Sequence, residues 1–75
     1  MSASRTPQIY RTVGQRIAEA RKKRSLTQEE LSSLTGLDRS YIGWIEQGRR
    51  KPSVEALRKL AKHSGTKLED LFRGF

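Results

Sequence analysis

Apolar side chains recur along this chain at helical spacing, and no stretch shows the strict alternation of a half-buried strand. Ile9, Val13, Ile17 and Ala20 mark one face of a first helix at i, i+4, i+8 and i+11. Thr6 followed by Pro7 suits its start, with proline at the first helical position. The basic run Arg21–Ser25 suits its end, because cations favour the negative end of the helix dipole. A second helix opens at Thr27, where a capping box with Glu30 is predicted. Leu31 and Leu34 are assigned to its inner face, and Gly36 ends it in the left-handed conformation. Asp38 caps a third helix that runs to Gln47 and stops at Gly48. Ser53 caps a fourth, with Val54, Leu57, Leu60 and Ala61 on one face and Gly65 at its end. Thr66 and Glu69 form a second capping box ahead of a last helix carrying Leu68, Leu71 and Phe72. The pattern predicts an all-α fold of five short helices with tight connections. Residues 1–8 read as a polar, flexible arm and residues 9–75 as one domain. The second and third helices, joined through Gly36 and Leu37, read as helix-turn-helix.

Composition narrows what such a bundle can do. A chain of 75 residues makes one small domain with a marginal core, for which oligomerisation is a natural support. It has no cysteine and a single histidine, His63, which excludes disulfides, thiolate nucleophiles and cysteine- or histidine-cluster metal sites. No metal or cofactor is expected. Sixteen basic against eight acidic residues give a net charge of +8, a field that attracts polyanions, nucleic acid first. No apolar run is long enough to span a membrane, so a cytoplasmic protein without membrane partners is expected. No pocket of tuned acids and bases, nucleophile arrangement or phosphate-cradling glycine loop is visible, so an enzyme is not expected.

The charge is unevenly placed. Between Ser25 and Gly48 the single basic residue is Arg39, set against Glu29, Glu30, Asp38 and Glu46. Positive charge lies on both sides, in Arg21–Arg24, in Arg49–Lys51, and at Arg58, Lys59 and Lys62. Flanking charge that positions a duplex, around a sparse element that specifies it, is the arrangement expected of a sequence-specific DNA-binding protein. A charge-driven, non-specific nucleic-acid binder is the competing reading, although the few aromatic residues offer no series of stacking platforms.

Three stretches carry a family resemblance: "VGQRIAEARKKRSLTQEELSSLTG", "SYIGWIEQGRRKPS" and "LRKLAKHSGTKLEDLF". From Val13 to Phe72 the chain resembles the phage-repressor/Cro group, the XRE family of helix-turn-helix regulators. Its short length also resembles the controller proteins of restriction–modification systems, with antitoxins and phage repressors as alternatives on the same fold. Two positions depart from the family pattern: Ser25 stands where a glycine is usual, and Ser32 where a buried alanine is common.

The resemblance implies a compact repressor-like domain whose third helix enters the DNA major groove. It implies a homodimer on a palindrome-like double-stranded operator, with no small-molecule ligand. Repression would come from occluding RNA polymerase and activation from touching it, and the sequence does not choose. By family position Asp38, Arg39, Ser40, Gly43 and Trp44 form the exposed, base-reading strip. Arg39 can read guanine with its planar fork, or else contact phosphate or pair with Asp38. Gly43, which costs a helix about 1 kcal/mol relative to alanine, either admits a close approach to DNA or is neutral drift. Trp44 either lies against a thymine methyl or sugar, or packs on the protein surface. Thr27, Gln28, Arg49, Arg50, Lys51 and Ser53 are assigned to backbone phosphates, Gln28 because helix N-termini attract anions. Arg21 and Glu46 are implied to form a buried pair joining the first helix to the third. Leu68, Leu71, Phe72 and Phe75 are assigned to the dimer interface, with Leu68 and Leu71 read also as intramolecular core; the alternative is that Phe72 completes the core and Phe75 frays with the terminus.

Overall fold

The computed structural model describes residues 7–75. It contains α1 (Gln8–Lys23), α2 (Gln28–Thr35), α3 (Arg39–Glu46), α4 (Val54–Ser64) and α5 (Leu68–Leu71), with no strand among the described residues. Each helix contributes to one core: Val13 and Ile17 from α1, Leu31 from α2, Ile42 and Ile45 from α3, Leu57, Leu60 and Ala61 from α4, and Leu71 from α5. The spacing of these residues is the helical repeat that predicted them.

Most boundaries follow the local signals. Thr27 accepts the Glu30 N–H at 3.0 Å while Glu30 accepts the Thr27 N–H at 2.8 Å, completing the capping box. Ser53 caps α4 by accepting the Ala56 N–H at 3.0 Å, and Gly36 and Gly65 close their helices with φ of +78° and +76°.

Five expectations are corrected. Pro7 is the N-cap residue, not the first helical one, with ψ at 149°. Gln8 therefore belongs to α1, and of the expected arm only residues 1–6, Thr6 included, lie outside the described part. Leu34 is 50% exposed and Val54 73% exposed. Leu31, Leu57, Leu60 and Ala61 point inward as expected and Thr35 and Ala56 join them, whereas Leu34 and Val54, near the ends of their helices, face outward. The expected cap at Thr66 is absent: Lys67 precedes a four-residue α5 without a side-chain cap bond.

Leu71 is the fifth. It is 1% exposed and belongs to the core, so it has no surface to offer a dimer partner. Leu68 and Phe72 are half-buried against the same core, and Phe75 is 63% exposed. The C-terminal segment is held by a residue that periodicity does not mark. Arg16 on α1 donates to the carbonyls of Asp70, Leu71 and Arg73 at 3.3, 3.1 and 2.7 Å, and lies 5.6 Å from the Phe75 ring centre. A guanidinium satisfying orphan carbonyls stops so short a helix from fraying.

The backbones of α1 and α3 come together at Gly14. Gly14 is buried at that crossing. A Cβ placed there would overlap the Ile45 carbonyl oxygen and sit 3.1 Å from the Glu46 oxygen. A bare backbone at residue 14 therefore sets how deeply α3 seats on the rest of the domain.

Candidate nucleic-acid interface

The α2–turn–α3 unit is stitched by short polar side chains. Ser32 donates its hydroxyl to the Leu37 carbonyl at 2.5 Å. Thr35 donates to the Leu31 carbonyl at 2.8 Å and accepts the Leu37 N–H at 3.2 Å. The serine that departs from the family alanine thus contributes a bond across the turn. The other departure has a different cost. Ser25, in the turn between α1 and α2, adopts φ of +58°, a left-handed conformation glycine takes freely and an L-residue does not.

Asp38 caps α3 by accepting the Ser40 N–H at 3.0 Å. Asp38, Arg39, Ser40 and Trp44 are exposed, as the resemblance implied. Gly43 is not, and the expectation of an exposed glycine is corrected. It is buried beneath the Gln28 side chain, whose Oε1 would lie 3.6 Å from a Cβ at residue 43. What approaches the bare backbone closely is a neighbouring glutamine of the same protein.

That glutamine belongs to a hydrogen-bonded chain running from the interior to the surface. Arg21 grips Glu46 with two bonds, Nε to Oε2 at 2.8 Å and Nη2 to Oε1 at 3.0 Å, and donates Nη1 to the Leu26 carbonyl at 2.7 Å. The expected structural pair is therefore formed, with both side chains nearly enclosed. The bonds to Glu46 hold the Arg21 pKa above its ordinary value, outweighing the opposing effect of burial. Gln28 donates Nε2 to Glu46 Oε1 at 2.9 Å, and its Oε1 accepts Arg39 Nη1 at 3.2 Å. Arg39 thus turns to Gln28 rather than to Asp38. A phosphate could be bound only through the Gln28 amide N–H groups, one of which is given to Glu46; the first backbone N–H groups of α2, which no helical carbonyl can reach, are the other donors at that end.

The loop after α3 carries the second group of predicted residues. Gly48, with φ of +75°, turns the chain against Arg11 of α1. The Arg49 N–H then bonds the Trp44 carbonyl at 2.8 Å. Arg49 Nη1 donates to Gln47 Oε1 at 3.2 Å, and the Arg50 guanidinium lies 4.7 Å from the Trp44 ring centre. Lys51 is exposed. The hydroxyls of Thr27 and Ser53 are both engaged as helix caps, and the Ser53 N–H reaches Tyr41 Oη at 3.4 Å. Farther along, Arg58 bonds Glu55 at 2.8 Å and holds that carboxyl below its ordinary range, so part of the α4 charge is already paired.

The structure therefore groups the predicted residues at two ends of α3: Gln28 with Arg39 at the start, Trp44 with Arg49 and Arg50 at the finish. Gly14, Ser32 and Arg16 do supporting work that sequence reasoning missed. A helical glycine or a single arginine gives no periodic signal, and only the crossing partner makes it necessary. Among the described residues no three histidine, cysteine or acidic side chains gather as a metal would require. No helix there is long and apolar enough to cross a membrane.

A helix-turn-helix family model matches residues 17–71. The chain belongs to the XRE-type helix-turn-helix family. Over 57 residues it is 40% identical to an uncharacterized helix-turn-helix transcriptional regulator of Archaeoglobus fulgidus, covering 76% of this chain and 80% of that protein. It is 34% identical over 67 residues to the control protein C.BamHI of Bacillus amyloliquefaciens, covering 88% and 83%. The fold superimposes with a TM-score of 0.79 on the restriction–modification controller protein C.AhdI of Aeromonas hydrophila, at 41% identity, covering 84% of this chain and 96% of that one. In this XRE-type domain α2 and α3 are the helix-turn-helix pair.

Proposed function

We propose that this XRE-type protein is a sequence-specific regulator of transcription that binds a palindrome-like double-stranded DNA operator as a homodimer in the cytoplasm, and that it serves as a controller of a restriction–modification system. One observation carries the reading. Arg39 stands exposed at the start of α3, tethered through Gln28 to a buried Arg21–Glu46 pair. A long cation held in one direction by an anchored partner is a preorganised reader, able to exchange its bond to Gln28 for guanine O6 and N7. Asp38 and Ser40 flank it. Arg49 and Lys51, with the N-terminus of α2, supply phosphate contacts on either side. The similarity to C.BamHI and C.AhdI, which spans most of the length of each, supports the controller assignment.

The C-terminal surface of Leu68, Phe72 and Phe75 supplies the dimer face, setting recognition helices about 34–36 Å apart on successive turns of the duplex. The domain acts without cofactor, small-molecule ligand or catalysis, so occupancy follows protein concentration. Contact with RNA polymerase decides between activation and repression.

Selection of bound duplexes from a random DNA library at about 0.15 M salt, followed by sequencing, tests the reading. The expected product is an inverted repeat, with Arg39→Ala relaxing discrimination at one guanine by about 1–3 kcal/mol. Recovery of no motif, with affinity that collapses equally for all sequences as salt rises, would refute it.

A further inference from the structure

The far end of α3 supports a second assignment, which rests on the duplex-binding reading. We propose that Trp44 and Arg50 form a preorganised seat for one DNA backbone phosphate, in which Trp44 is the platform for the arginine and not a reader of base edges.

The geometry is built locally. Gly48 turns the chain and the Arg49 N–H returns to the Trp44 carbonyl at 2.8 Å, which brings residue 50 back over residue 44. The Arg50 guanidinium then lies 4.7 Å from the ring centre. Stacking on an aromatic face satisfies the cation without consuming its N–H groups, so the planar donor fork stays available at the edge of the stack. That fork matches the paired oxygens of a phosphate. The depression between Trp44, Arg49 and Arg50 contains no carboxylate. The nearest acid in sequence, Glu46, is turned inward and held by Arg21. Positive charge at this point also faces the carbonyl end of α3, which steadies it in the absence of DNA. A base edge or thymine methyl approaching the covered ring face would first have to displace Arg50. Trp44 is 39% exposed, so the ring is a surface platform rather than core.

The test compares wild type, Arg50→Ala, Trp44→Ala, Trp44→Phe and the Trp44→Ala/Arg50→Ala double variant, titrated by fluorescence anisotropy against a selected and a scrambled duplex over a salt series. The seat predicts that Trp44→Ala and Arg50→Ala weaken binding to both duplexes by similar factors. Each reduces the slope of log affinity against log salt by up to about 0.9, the share of one phosphate. Trp44→Phe, which keeps a ring, retains most of the affinity, and the double variant binds no worse than Arg50→Ala. A Trp44→Ala variant that loses affinity for the selected duplex alone, at unchanged salt slope and additively with Arg50→Ala, overturns the seat while leaving the regulator reading intact. Failure of the wild type to bind either duplex overturns both. Trp44 is the single tryptophan of the chain, so its emission reports the stack without DNA. Arg50→Ala is expected to shift or brighten it, and an unchanged spectrum counts against the seat.

Discussion

Two buried helical glycines allow the same one-carbon change to be set against itself. Alanine gains about 1 kcal/mol over glycine in a helix interior, so propensity alone predicts that Gly14→Ala and Gly43→Ala both stabilise the domain. Their surroundings differ. At residue 43 the new methyl would meet the Gln28 amide at 3.6 and 3.7 Å, an ordinary contact with a movable side chain. At residue 14 it would overlap the backbone of Ile45 and Glu46, which cannot move without lifting α3 from α1. Overpacking of this kind costs about 1–3 kcal/mol when side chains can yield, and a backbone obstacle belongs at the upper end. With the propensity gain subtracted, Gly14→Ala should lose about 2 kcal/mol, whereas Gly43→Ala should gain about 0.5–1 kcal/mol. For a domain of this size each kcal/mol moves the midpoint by about 4–8 °C. Thermal and urea denaturation followed by far-UV circular dichroism measures both. Folded Gly14→Ala should also bind operator more weakly, because α3 is displaced. A Gly14→Ala protein as stable as wild type would refute the close-crossing argument, and a destabilised Gly43→Ala would refute the account of the Gln28 contact.

Three further outcomes follow from the same geometry. Glu46→Ala leaves the Arg21 guanidinium enclosed without its partner and should cost about 3–5 kcal/mol; a urea-measured loss below about 1 kcal/mol would count against the pair as a structural tie. Ser25→Gly relieves the single positive-φ residue other than glycine among those described, and should raise stability by about 1 kcal/mol with DNA affinity unchanged. Arg16→Ala removes the donor from three C-terminal carbonyls and the cation beside Phe75. Amide exchange in α5 should accelerate well beyond that in α4, and dimerisation measured by sedimentation should weaken; unaltered exchange would show that α5 needs no such cap.

Much of this was legible in the sequence because the signals are local. The caps at Thr27, Asp38 and Ser53 and the glycine stops at residues 36, 48 and 65 each rest on a few neighbouring atoms, and each was found where the residue type required it. The exposed strip of α3 was legible for four of its five residues, by resemblance more than by physics. Leu34, Val54 and Thr66 misled because they sit at helix ends, where a shift of one residue in the boundary or the lack of a facing neighbour decides burial and capping. Leu71 was assigned both to the core and to an interface because a partner and a core both want leucine, and the structure keeps the core reading.

By itself the sequence determined the helix count, the helix-turn-helix pair, the net positive charge and its placement on both sides of that pair. These depend on spacing and residue type, which are properties of the chain. Tertiary structure decided which glycine is indispensable, that Gln28 covers Gly43 and steadies Arg39, that Arg50 returns to Trp44, and that Arg16 closes the C-terminus. Each of these joins atoms from separate elements or across a turn, and such contacts exist only once the packed core has set the distances between them.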